Sequence, residues 1–118
     1  MRILFLESDS GLQEMAELIF SVQVPIEFYC PKANCDLKEL EVAAREFKPD
    51  ISVMGWRHFQ VPVLKCLKKF SKVWIFSGDA EDYIREQGGG GADHIFSKSD
   101  KGLDELRAEL LREAKTLR

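Results

Sequence analysis

"PDISVMGWRHF", residues 49–59, places the short run Ile51-Ser52-Val53-Met54 between a proline and a glycine. A mostly apolar run of this length, bounded by breakers, predicts a strand buried on both faces, as in a parallel sheet. Pro49 ends any helix before it, because the residue preceding a proline is pushed out of helical conformation. In α/β proteins the residue just past such a strand is where chemistry gathers. Here that residue is Gly55, which has no side chain to offer, and Trp56, Arg57, His58 and Phe59 follow it.

The same pattern extends along the chain in both directions. Upstream, Ile3 to Leu6 is a continuous apolar run ending in Glu7, Ser8 and Asp9. Ser10 is placed as an N-cap, and Leu12, Met15, Ile19 and Val22 then recur at helical spacing. "PIEFYC" (25–30) predicts a second strand held between Pro25 and Pro31. Asp36 can cap a helix whose Leu37, Leu40, Ala44 and Phe47 form one apolar stripe. Downstream, Pro62 suits the first turn of a short helix, with Leu64, Leu67 and Phe70 inward and Lys65, Lys68 and Lys69 outward. "VWIFSGD" (73–79) predicts a fourth strand, "AEDYIREQ" (80–87) a short helix and "DHIFSKS" (93–99) a fifth strand. Leu103, Leu106, Leu110 and Leu117 mark a last helix. Gly88-Gly89-Gly90-Gly91 exceeds the single glycine a helix C-cap needs and predicts a mobile connector. Strand and helix alternating five times predict an α/β fold: a doubly wound (βα)5 domain over residues 1–118, with a five-stranded parallel sheet, flavodoxin-like.

Composition narrows the function. The 118 residues suffice for a core without staples. A net charge of −3 with interspersed signs leaves no basic stripe to neutralise phosphates, so a nucleic-acid partner is not expected. Cys30, Cys35 and Cys66 form no CxxC pair, and His58 and His94 lie at no metal-ligand spacing. Neither a metal nor a cofactor is expected, and the thiols read as buried or half-buried groups in a reducing cytosol. Arg2 and four apolar residues before Glu7 make neither a signal peptide nor a membrane span. A cytoplasmic protein without membrane association is expected.

Four stretches at the predicted strand ends resemble the CheY-like receiver domain of two-component response regulators. "ILFLESD" is similar to that family's first strand with its acidic pair, and "KPDISVMG" to the strand ending in the phosphoaccepting aspartate. "VWIFSGDAED" is similar to the fourth strand with its terminal hydroxyl, and "GGADHIFSKS" to the lead-in to the family's lysine. The resemblance covers essentially the whole chain, although the segment between Gly55 and Ser77 is shorter than in a typical receiver.

The resemblance implies a chemistry and shows where it fails. In the family a carboxylate attacks a phosphohistidine donor while Mg²⁺ on neighbouring acids neutralises the transferring group. A lysine and a hydroxyl then hold the phosphoryl oxygens. Carried over residue by residue, the acidic pair falls on Glu7 and Ser8, the acceptor on Gly55, the hydroxyl on Ser77 and the lysine on Lys98. The proline after that lysine is Ser99, and the aromatic switch residue is Ile95. A glycine cannot accept a phosphoryl group, and Glu7 and Asp9 alone would hold Mg²⁺ poorly. Asp50 precedes its strand, so it should lie at the opposite end of the sheet. The expectation is a pseudo-receiver in signal transduction with a degenerate phosphorylation pocket (Glu7, Ser8, Asp9, Gly55, Ser77, Lys98), no catalytic residue and no enzyme activity.

Contact then falls to the surface through which receivers meet partners or each other: the helix over 80–87, the fifth strand and the last helix. Tyr83, Ile84 and Ile95 are its expected apolar part, with Asp104 and Arg107 at the rim. The alternative is a small-ligand sensor lined by Trp56, Arg57, His58 and Lys98. Against it stands a plain structural role, in which Trp56 fills the vacated volume and Lys98 pairs with Glu7 or Asp9.

Overall fold

The short apolar runs of the sequence pair as the parallel strands of one five-stranded sheet. The computed structural model describes residues 1–6, 27–29, 36–56 and 60–116. Within them lie β1 (Arg2–Leu6), β2 (Glu27–Tyr29), α1 (Leu37–Phe47), β3 (Ile51–Met54) and α2 (Gln60–Lys68). They are followed by β4 (Lys72–Ser77), α3 (Glu81–Glu86), a 3-10 turn (Gly89–Gly91), β5 (His94–Ser97) and α4 (Asp100–Thr116). The strand order β2-β1-β3-β4-β5, parallel throughout, is the flavodoxin-like arrangement. The helix expected from Ser10 to Val22 lies outside the described residues, as do Cys30, Cys35 and Leu117.

Strand alternation splits the core into two layers. Leu4, Leu6, Met54, Val73 and Ile75 point to one face, where Leu40 and Ala44 of α1, Leu64 and Leu67 of α2 and Ile84 of α3 cover them. Ile3, Phe5, Ile51, Val53, Trp74 and Phe76 point to the other, against Phe96 and against Leu106 and Leu110 of α4. Layers on both faces explain why these strands read as unbroken apolar runs. Ser52 is the polar exception in β3, and its buried hydroxyl meets Ser71 Oγ at 2.7 Å. Cys66 is a free, buried thiol; burial, aided by the Glu41 charge and opposed by Lys69, pushes its pKa up.

Local signals act where the sequence places them. Asp36 accepts a hydrogen bond from Glu39 N at 2.7 Å, and Lys48 closes α1 in the left-handed region at φ 55° just before Pro49. Leu37 departs from the expected stripe and stands 47% exposed. Helical side chains lean toward the N-terminus, so that of the first residue reaches past the packed face.

The glycine run is not the loose connector its composition predicts. Gly88 ends α3 with φ 98°, a conformation side-chain-bearing residues rarely adopt. Gly89 is buried, and a Cβ there would overlap Ile84 and touch the Trp56 ring. Gly90 and Gly91 have room for one. Half of the run is therefore packed structure.

Candidate functional site

The carboxyl ends of the central strands lie side by side because the ladder is in register. Leu6 pairs with Met54 and Met54 with Ile75, while Gly55 N–H donates to Leu6 O at 3.1 Å. Gly55 thus continues the β1–β3 ladder with backbone alone. Ser77 ends β4 opposite Ser97, and Lys98 N–H donates to Ser77 O at 2.9 Å, which brings the expected hydroxyl and lysine to one edge. The buried Ser77 hydroxyl is held by its own turn: it donates to Asp79 Oδ2 and accepts from Asp79 N, each at 3.2 Å. Lys98 is exposed, with Nζ 5.8 Å from the centre of the Phe76 ring. Glu7, Ser8 and Asp9 lie outside the described residues. Asp50 sits at the far end of the sheet, its Oδ2 accepting from Arg2 N at 2.8 Å, where it cannot serve the tip.

Trp56 does not line an open pocket as the ligand-sensor alternative requires. It is 1% exposed and belongs to the core layer with Leu64, Ile75 and Ile84, capped by Gly89. Its indole N–H is buried without a hydrogen-bond partner among the described residues. Arg57, His58 and Phe59 lie outside those residues. No group of three His, Cys, Asp or Glu among the described residues could hold a metal ion.

The residues expected at a partner surface differ in exposure. Ile84 is 0% exposed, so it belongs to the core; one six-residue helix has to spend its apolar residue on the sheet. Tyr83 does reach solvent, at 48%. Ile95 is half-buried and helps line a cleft of about 220 Å³ with Asp79, Glu81, Ser97, Lys101 and Glu105. Asp104 and Arg107 are exposed but are not among the residues lining it. With 100° per residue on α4, Lys101 and Glu105 share one flank, while Asp104 and Arg107 occupy another. Sequence reasoning missed Asp79, Glu81, Ser97, Lys101 and Glu105. The i,i+4 pairing of 101 with 105 and the i,i+2 pairing of 95 with 97 were the signals that could have found them.

The start of α4 completes this edge. Ser99 caps it, its Oγ accepting from Gly102 N at 3.1 Å, and Ser97 Oγ lies 2.8 Å from Ser99 Oγ. A Cβ at Gly102 would overlap the Ser97 carbonyl, so only glycine lets the helix approach β5 this closely.

No family model and no curated protein matches the chain. Solved structures do. The response regulator domain of Thermotoga maritima CheB superposes with a TM-score of 0.65 at 19% identity, over 98% of this chain and 94% of its own. A LuxR-family two-component response regulator from Aurantimonas gives 0.67 at 15% identity, over 95% and 85%. A structure named as a pilus assembly protein, CpaE, from Burkholderia thailandensis gives 0.66 at 14% identity, over 98% of both chains. The fold is that of a receiver domain. Within this receiver fold the tip of β3 carries Gly55, the tip of β4 a hydroxyl tied to Asp79, and the edge after β5 a lysine.

Proposed function

We propose that this chain is a pseudo-receiver: a single cytoplasmic signalling module that acts by protein–protein contact, takes no phosphoryl group and catalyses no reaction. The observation that carries this reading is Gly55 at the end of β3, continuing the β1–β3 ladder with backbone alone. Phosphoryl transfer to a protein needs a nucleophilic side chain within reach of the phosphorus, and glycine has none. Two further observations support it. The Ser77 hydroxyl is engaged with Asp79, and Trp56 packs into the core instead of lining an open site. The solved structures of the same fold carry names from response regulation and from pilus assembly, so the fold serves more than one kind of system.

Incubation with acetyl phosphate and Mg²⁺, followed by intact-mass measurement, tests the reading. The mass is expected to stay that of the bare chain. A stoichiometric gain of one phosphoryl group, mapped to Glu7, Asp9 or Asp79, would refute it.

A further inference from the structure

The outward face of α1 is divided by the sign of its charges. Leu40 and Ala44 pack on the sheet, and at 100° per residue each lies about 160° from Val42, one on either side. Val42 therefore points away from the core, and it is 44% exposed. Lys38 and Arg45 lie about 40–60° to one side of the Val42 line, and Glu39 and Glu46 about as far to the other. Glu41 is on the basic side, where it pairs with Arg45 at 3.1 Å and its charge reaches Cys66 of α2. The second helix thus packs on that side, and the exposed Lys65 and Lys69 extend the basic band. On the acidic side a shallow hollow of about 460 Å³ opens beside Val42, lined among the described residues by Lys38, Glu39, Val42, Ala43 and Glu46. The side chains of Lys38, Glu39 and Glu46 have no ion pair or hydrogen bond among the described residues.

We infer that this face binds a second copy of the chain, with the two α1 helices parallel and side by side, an inference that rests on the protein-contact reading above. A two-fold interface sets one surface against itself, so its charges have to match under the rotation. An axis perpendicular to α1 would make the helices antiparallel and put acid on acid and base on base. An axis parallel to α1 instead sets Lys38 and Arg45 of each copy against Glu39 and Glu46 of the other, with the two Val42 side chains meeting between the seams. The same rotation carries the partner's α2, with its Lys65 and Lys69, over the hollow beside Glu39 and Glu46. The face is small: helices of 11 and 9 residues are roughly 16 and 14 Å long at 1.5 Å per residue. Their contact falls below the roughly 1,200 Å² of a standard interface, so the dimer is weak and sensitive to salt.

Sedimentation velocity of the full chain over a wide concentration range tests this. The sedimentation coefficient is expected to rise with concentration, and to rise less at high salt. Glu39→Lys with Glu46→Lys makes both flanks basic, and Lys38→Glu with Arg45→Glu makes both acidic. Each double variant alone should stay monomeric where the parent is half associated, and an equal mixture of the two should associate again. Val42→Arg should weaken the parent's association at least tenfold. All five positions are exposed, so the fold is retained, and the single Val42 change decides the matter should a double variant fail to fold. A parent that stays monomeric at every concentration would overturn the inference. So would association that survives Val42→Arg and both charge reversals, or that Tyr83→Ala abolishes while Val42→Arg does not, since the contact would then lie on another face. None of these outcomes alters the acetyl phosphate result, so the two readings fall separately.

Discussion

At the scale of single residues, burial separates structural roles from functional ones. Trp56 follows the strand at which chemistry would be sought, yet it lies in the core under Gly89. Trp56→Ala should therefore cost about 3–5 kcal/mol of stability, as for large-to-small changes elsewhere in cores. A ligand-lining tryptophan at an open mouth would cost far less, and urea denaturation tells the two apart. Asp93 shows how a side chain at the entrance of a strand fixes its register. Its N–H donates to Val73 O at 2.8 Å while its Oδ2 accepts from Val73 N at 2.8 Å, and Lys68 Nζ adds contacts at 3.1–3.2 Å. Burial alone would raise its pKa, but the Val73 and Lys68 hydrogen bonds and the charges of Lys68 and Lys72 outweigh it and hold the carboxyl below 3.8. A depressed folded pKa means stability present above the unfolded value and lost as pH falls through the folded one. Asp93→Ala should cost about 1–3 kcal/mol at neutral pH by leaving the Val73 N–H unpaired. The gap between variant and parent should narrow below about pH 4, read from urea midpoints across pH.

At the scale of elements, the glycine run gives a graded test. Gly88→Ala forces a side chain into the left-handed region and should cost about 1–3 kcal/mol. Gly89→Ala must push against Ile84 and should cost a similar amount. Gly90→Ala and Gly91→Ala meet only ordinary contacts near 3.9 Å and should stay within about 0.5 kcal/mol. Four equal thermal midpoints would mean that the run is loose after all. Composition alone could not reveal this difference, since all four positions carry the same letter and only the third dimension separates them. β1, β3 and β4 were legible because each is a mostly buried run with a sharp end, at Glu7, Gly55 and Gly78, and α1 because Asp36 and Pro49 mark its ends. The burial of Ile84 was not legible, because a six-residue helix is too short for periodicity to choose its buried side. On α4, Lys101 and Glu105 share the flank that lies with Ile95 and Ser97 of β5, while Asp104 and Arg107 lie on another.

At the scale of the whole molecule, the question is whether the strand tips and the surface of α3, β5 and α4 communicate. In the receiver family that the sequence resembles, phosphorylation at the strand tips is transmitted when the fourth-strand hydroxyl moves inward and an aromatic residue of the fifth strand changes position. Here the Ser77 hydroxyl is bound twice to Asp79, and Ile95 is a short aliphatic residue that packs against the core layer of α1–α3. A ligand shifts a conformational equilibrium only by its differential affinity for two states, so the expected outcome here is a surface that does not respond to the tip. The substitutions Ser8→Asp and Gly55→Asp together rebuild the carboxylates that the resemblance assigns to metal binding. Gly55 is buried, so the pair should cost stability, but a folded variant should gain measurable Mg²⁺ affinity. Titrating that variant with Mg²⁺ should move amides next to Gly55 and Ser77, while those of Tyr83, Ile95 and the first turn of α4 stay within experimental error. Shifts that spread to α3 and β5 would show that the switch survives and that only its trigger has been lost. Absence of any metal response in a folded variant would show that Ser8 and Gly55 do not converge at one tip, and the residue correspondence with receivers would fail there.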